Sequence, residues 1–114
     1  MRQIIAAVAL TILPLVAGAQ ALGNAAGCDR VAGREESSDN LFVLWPNQIE
    51  RWESRCEIVQ IDGDLNLRSL ITASCSGEGD TWEQVYGMTP VGGDVFTIWP
   101  VESPELITEL RLCE

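Results

Sequence analysis

The sequence predicts a small all-β protein in which short antiparallel strands form a meander that closes into a barrel or a sandwich. From residue 41 onward, short apolar runs alternate with clusters of Gly, Pro, Asp and Asn, a pattern typical of strands joined by tight turns. The connections are short, which favours antiparallel neighbours. Four cysteines in 114 residues indicate two disulfides, which supplement a core of limited size.

Six apolar runs are the predicted strands. The last run shows the alternation clearly, because Leu110 and Leu112 point to one face and Arg111 points to the other. The segment 47–57 is ambiguous, since its apolar spacing fits either one helical turn or a short strand. Closure into a barrel would also remove exposed strand edges. The predicted strands cover residues 41–45, 56–61, 65–75, 82–88, 95–99 and 107–113.

The N-terminal residues are typical of a signal peptide. Arg2 supplies the positive charge, residues 4–16 form the apolar core, and Ala19-Gln20-Ala21 fits a signal peptidase site. Residues 1–21 are therefore the predicted signal peptide, and the apolar core is shorter than the roughly 20 residues that a membrane helix needs. We expect a periplasmic or secreted protein with no membrane span after cleavage.

Residues 22–40 are rich in Gly, Ala, Ser and acidic side chains, and they are predicted to form an irregular arm before the β domain of residues 41–114. Within the arm, residues 25–28 resemble a lipoprotein box ending at Cys28. Lipidation of Cys28 would anchor the protein to a membrane but would leave an odd number of cysteines for pairing. A membrane-anchored structural lipoprotein is therefore the alternative to a free exported protein.

The four cysteines allow three disulfide pairings. We favour Cys56 with Cys75, because they bracket a predicted hairpin, and Cys28 with Cys113, because they tie the ends of the mature chain together. A zinc site is disfavoured, since the chain has no C-x-x-C spacing and no histidine.

Three segments together resemble small uncharacterised secreted proteins of Gram-negative bacteria. They are Cys56-Glu57-Ile58, the Cys-Ser-Gly-Glu-Gly-Asp-Thr-Trp run of residues 75–82, and the terminal Leu-Arg-Leu-Cys of residues 110–113. The resemblance spans residues 41–113 and is carried by disulfide and turn residues. It implies export and a compact β fold, and it brings no activity with it.

The sequence lacks most of the groups that catalyse reactions. It has no histidine and no lysine, and its cysteines are expected to be oxidised. The densest carboxylates are Glu78, Asp80 and Glu83, which would need to face one another across a cleft to hydrolyse glycosides. We expect these acids to lie on a solvated hairpin, and we predict a protein that is not an enzyme and needs no cofactor.

One calcium-like spacing occurs in the chain. Asp62, Asp64 and Asn66 form D-x-D-x-N, which opens a calcium-binding loop, but Leu67 and Ala73 stand where that loop needs Gly and Glu. A tight hairpin turn explains the same residues, so calcium binding is a minor alternative and no metal site is predicted.

Charge gives the main indication of a partner. After removal of Arg2, 6 arginines face 17 acidic residues, a net charge of −11. Such a field repels nucleic acid and favours a cationic protein, although it also serves solubility alone. We predict a monomeric binding or inhibitor-like module, for example one directed at a cationic hydrolase such as lysozyme. Most of the four tryptophans are expected in the core. The predicted contact residues are Asp62, Asp64, Glu78, Asp80 and Trp82.

Overall fold

The protein is an antiparallel closed β-barrel, seen in a computed structural model that describes residues 20–34, 38–64 and 66–114. Each of its eight strands pairs with the next along the chain, and the first strand pairs with the last to close the barrel. The all-β prediction is confirmed. The strands are β1 Leu22–Gly23, β2 Phe42–Leu44, β3 Gln48–Arg51, β4 Ser54–Asp64, β5 Arg68–Gly77, β6 Asp80–Gly92, β7 Val95–Pro100 and β8 Thr108–Leu112, and a helix α1 covers Ala25–Val31.

The barrel interior is filled by alternate residues of each strand, as the pleat requires. In β5, for example, Ile71, Ala73 and Cys75 are buried while Leu70 and Ser74 are exposed. The interior core therefore consists mainly of medium-sized side chains from all parts of the sheet. Its buried members are Phe42, Leu44, Ile49, Cys56, Ile71, Ala73, Cys75, Tyr86, Met88, Ile98 and Leu110.

A second, smaller apolar cluster lies outside the barrel, between α1 and β2. It contains Ala21, Leu41 and Val43, with α1 packed against them. The helix approaches closely because a side chain at Gly27 would clash with the backbone of Phe42. Asn24 caps the helix by accepting a hydrogen bond from the Gly27 amide at 2.9 Å.

The prediction of an irregular arm over residues 22–40 is wrong, because this segment contains both β1 and α1. A strand of two residues is too short to show alternation, and the helix buries small residues that resemble a linker by composition. The barrel therefore begins well before residue 41. Ala21, the last residue of the predicted signal peptide, is only 3% exposed, and its carbonyl accepts from the Cys113 amide. Residues 1–19 of that prediction lie outside the described residues.

The six predicted strands all occur, with shifted ends, and the ambiguous segment contains strand β3 rather than a helical turn. One such shift is at Asp62-Gly63-Asp64, which belongs to the end of β4 instead of forming the turn. The turn follows it, where Asp64 accepts hydrogen bonds from the amides of Asn66 and Leu67 at 2.8 and 2.9 Å.

Both favoured disulfides are present. Cys56 and Cys75 face each other across β4 and β5 inside the barrel, and each is 2% exposed. Cys28 and Cys113 join α1 to the residue that follows β8. Disulfides of this kind are typical of proteins in an oxidising compartment. Over the described ranges, no helix has the length and apolar character needed to cross a membrane.

Candidate functional site

The up-and-down topology gives the barrel two distinct ends. The β3–β4, β5–β6 and β7–β8 connections lie at one end, and the β2–β3, β4–β5 and β6–β7 connections lie at the other. Strand β5, with 10 residues, runs between them over about 30 Å. Asp62 and Asp64 therefore lie at the opposite end from Glu78 and Asp80. The structure does not bring the two predicted acidic turns together on one surface.

The β3–β4 and β5–β6 turns meet around an open hollow of about 390 Å³. Its functional side chains are three carboxylates and two indoles, and we call it the acidic hollow. Its members are Trp52, Glu53, Glu78, Asp80 and Trp82. Three of the predicted contact residues thus occur together, and two residues that the sequence analysis did not select complete the group.

Gly77 is the reason why the two turns lie so close together. A Cβ added at Gly77 would fall 2.6 Å from the carbonyl oxygen of Glu53 and 2.8 Å from the Cβ of Ser54. The tip of the β3–β4 hairpin therefore rests directly on the backbone at the end of β5. This contact places Glu53 beside Glu78, although the two residues are 25 positions apart in the chain.

Both glutamates occupy backbone conformations that favour glycine or asparagine. Glu53 has a φ of 62° and Glu78 has a φ of 49°, and Gly79 follows Glu78 with a φ of 85°. Positive φ at two successive turn residues matches a type I′ hairpin loop, in which Asn-Gly is the usual pair. A left-handed residue other than Gly costs roughly 1 to 2 kcal/mol. Glu53 and Glu78 therefore occupy turn positions whose backbone conformation Gly or Asn would adopt at a lower cost in free energy.

The Glu78 side chain influences the ionisation of the Glu53 carboxyl. A side-chain hydrogen bond with Glu78, a small desolvation and repulsion by the Glu78 charge together raise the pKa of Glu53 above its ordinary value of 4.5. Within the described residues, the ion pairs join Arg30 with Glu50, Arg34 with Asp29, and Arg111 with Glu109, so they leave the carboxylates of the acidic hollow unpaired. Glu102 and Glu105 in the β7–β8 connection add negative charge at this end, whereas Arg30, Arg51 and Arg55 line the adjoining hollow on the other side of Trp52 and Glu53.

None of the four tryptophans is fully buried, which corrects the expectation that most of them lie in the core, although Trp45 packs against the smaller apolar cluster. Trp52 is 38% exposed and Trp82 is 41% exposed, and both line the acidic hollow. Trp99 lies on the outer face over Gly87, and the indole of Trp45 donates to a Glu50 oxygen at 3.0 Å. An eight-stranded barrel has an interior just wide enough for ordinary side chains, so its indoles lie at the ends and outside.

The other predicted acids have local roles or separate positions. Asp62 accepts hydrogen bonds from the side chain of Gln60, and Asp64 caps its turn. Among residues 20–34, 38–64 and 66–114, no three His, Cys, Asp or Glu side chains are grouped to hold a metal. Calcium binding at Asp62, Asp64 and Asn66 stays the minor alternative that it is on the sequence. Glu83 lies opposite Ser74 on the outer face of β6, so it does not face Glu78 across a cleft.

No family model, curated protein or solved structure matches this chain. The site is therefore interpreted from its own geometry. The acidic hollow combines unpaired negative charge with exposed aromatic faces, and both features attract a cation: carboxylates by charge, and indole rings by their quadrupole.

Trp52 and Glu53 were missed because the segment 47–57 gave no clear secondary structure. The strand interpretation of this segment contains a partial signal. If residues 48–51 form a strand that pairs with the next one, Trp52 and Glu53 become a two-residue turn between Arg51 and Ser54. The contact of this turn with Glu78 depends on pairing between strands, which the local sequence does not contain.

Proposed function

We propose that this protein is an exported, monomeric, non-catalytic binding module whose acidic hollow receives a Lys or Arg side chain from a cationic protein partner. One observation carries the proposal: three unpaired carboxylates and two exposed indoles line the same hollow. In the part of the chain that the structure describes, no three His, Cys, Asp or Glu side chains are grouped in support of the calcium alternative.

The chemistry of the acidic hollow fits a cationic side chain better than a free metal ion. An indole face contributes about 0.5 to 2 kcal/mol to binding of Lys or Arg, and charge-assisted hydrogen bonds to Glu53, Glu78 or Asp80 add direction. The net charge of −11 for the chain after Arg2 would speed the encounter with a cationic protein. Two disulfides and a closed barrel hold the turns in place before binding.

The first experiment measures binding of a short peptide of alternating Arg and Gly, with blocked ends, to the mature protein by titration calorimetry. We expect E78Q/D80N to weaken binding by about tenfold or more at low salt. The matched control is D62N/D64N, which removes the same charge from the opposite end and should change binding by no more than about twofold.

A further variant separates the aromatic contribution from the charge. Trp82→Leu leaves the net charge unchanged, so a weakening of roughly threefold to tenfold would come from the lost indole face. If E78Q/D80N and D62N/D64N weaken binding equally, the peptide responds only to overall charge and the acidic hollow is not its site. The same variants can then be assayed against a cationic hydrolase such as lysozyme.

The proposed address is the periplasm or the extracellular medium. The lipoprotein alternative conflicts with two features: the Cys28 sulfur is bonded to Cys113, and cleavage before Cys28 would remove β1 from the barrel. Because Ala21 is buried, cleavage after Ala17-Gly18-Ala19, leaving Gln20 first, preserves the barrel better than cleavage after Ala21. Mass spectrometry of the mature protein should find Gln20 at the N terminus, whereas a lipid on Cys28 would overturn the free form.

A further inference from the structure

The end of the barrel opposite the acidic hollow contains a cavity of about 290 Å³. It opens between the ends of the strands, where the inward-facing side chains of the barrel are only partly covered. We call this cavity the apolar mouth. Its wall includes Leu22, Leu44, Ile58, Ile71, Met88 and Phe96.

The lining of the apolar mouth carries no charged side chain among the described residues. Gln20, at the rim, contributes an amide, and the indole N–H of Trp45 is already donated to Glu50. An apolar cavity with few hydrogen-bonding groups holds water poorly, and filling it with an apolar molecule lowers the free energy. A lining of this kind suits an uncharged apolar ligand.

We propose that the apolar mouth binds a small neutral apolar molecule, a function separate from cation recognition at the acidic hollow. A cavity of about 150 Å³ lined by similar side chains accommodates benzene, so this one has room for a molecule about twice that size. A two-ring aromatic compound or an alkyl chain of roughly eight carbons fits that volume. Mouths of eight-stranded barrels are a common place for such ligands.

The surroundings of the apolar mouth select against an anionic ligand. Asp62, Asp64 and Asp94 lie at the same end of the barrel, on the β4–β5 and β6–β7 hairpins. Arg68 also lies there, but its guanidinium is stacked over the Trp99 ring at 5.9 Å. A fatty acid carboxylate would meet net repulsion at the rim, whereas a fatty alcohol of the same length would not.

The experiment titrates the mature protein with N-phenyl-1-naphthylamine, a neutral two-ring dye whose fluorescence rises in apolar surroundings. Ile61 lines the apolar mouth and is 41% exposed, so Ile61→Arg introduces a charge there without filling the core. We expect this variant to weaken dye binding by about tenfold or more. Ile107→Arg is the matched control, because Ile107 is 55% exposed and lies at the other end.

Competition by 1-octanol and by octanoate tests the preference for a neutral ligand. We expect octanol to displace the dye at a concentration about tenfold or more below that of octanoate. No rise in fluorescence with the wild-type protein, or equal weakening by Ile61→Arg and Ile107→Arg, would overturn the proposed site. Equal competition by octanoate would overturn its selectivity. None of these outcomes bears on the acidic hollow, which is measured with a different ligand and different variants.

Discussion

The two ends of this barrel are built from different parts of the strands, and they differ accordingly in chemistry. Turn residues such as Trp52, Glu53 and Glu78 supply much of the acidic hollow, and they point into solvent. Inward-facing strand residues such as Ile71 and Met88 supply the apolar mouth. The comparison teaches that in a small barrel, tight turns can present charge while the ends of the strands leave an apolar opening.

Arg51 is a half-buried charged side chain that contacts the interior core at the end where the acidic hollow lies. Arg51 is the last residue of β3 before the acidic turn, and its guanidinium lies 4.6 Å from the centre of the Phe42 ring. It donates hydrogen bonds to the Leu41 carbonyl at 3.1 Å and to the Tyr86 hydroxyl at 3.3 Å. These contacts satisfy the Arg51 guanidinium, and two of its partners, Phe42 and Tyr86, already belong to the interior core.

The largest expected effect comes from the disulfide that fastens the closing strand. Strand β1 has only two residues, yet it joins β8 to β2 and places Leu22 in the apolar mouth. The Cys28–Cys113 bond closes a sequence separation of 85, so C28S/C113S should lower the free energy of unfolding by about 4 to 5 kcal/mol. Urea unfolding measures this loss.

The second disulfide provides the comparison for that experiment. Cys56 and Cys75 are separated by 19 residues and join strands that are already paired along their length, so C56A/C75A should cost about 3 kcal/mol. C28S/C113S should also weaken dye binding at the apolar mouth more than peptide binding at the acidic hollow. Equal weakening at both ends would mean that β1 is not the element that this disulfide holds.

The fold could be predicted from the sequence wherever a strand is long enough to show its alternation. Strands β4, β5 and β6 contain 11, 10 and 13 residues, and all three were recognised. Strand β1, with two residues, is not evident from the sequence, and β3, with four residues, is ambiguous. Strands this short contain too few alternating apolar and polar positions to reveal a period of two. The cysteine pairing was predicted correctly because the spacing of the cysteines follows the hairpin and the ends of the mature chain.

The site was only partly predictable, because it depends on which turns share an end of the barrel. Glu78, Asp80 and Trp82 were selected together since they are close in sequence. Asp62 was grouped with them on charge alone, but strand β5 separates the two groups. The apolar mouth was not recognised at all, because residues that line a cavity and residues that fill a core have the same composition.

The smallest expected effect is a pH dependence that arises at the acidic hollow. The hydrogen bond and repulsion from Glu78 raise the pKa of Glu53 in the folded protein above its ordinary value of 4.5. The folded state then binds more protons at Glu53 than the unfolded state between 4.5 and that raised pKa, so the contribution of Glu53 to stability is greatest below this window and is lost as the pH rises through it. E78Q removes the repelling charge and should reduce this fall.

The measurement is the urea midpoint of the wild type, E78Q and E83Q at pH values from about 4 to 7. E83Q is the matched control, because Glu83 lies on the outer face of β6 and its replacement changes the net charge by the same amount. We expect the gain in stability from E78Q to grow with pH, while the effect of E83Q stays nearly constant. Parallel curves for the two variants would mean that Glu53 responds to the overall charge and not to Glu78 in particular.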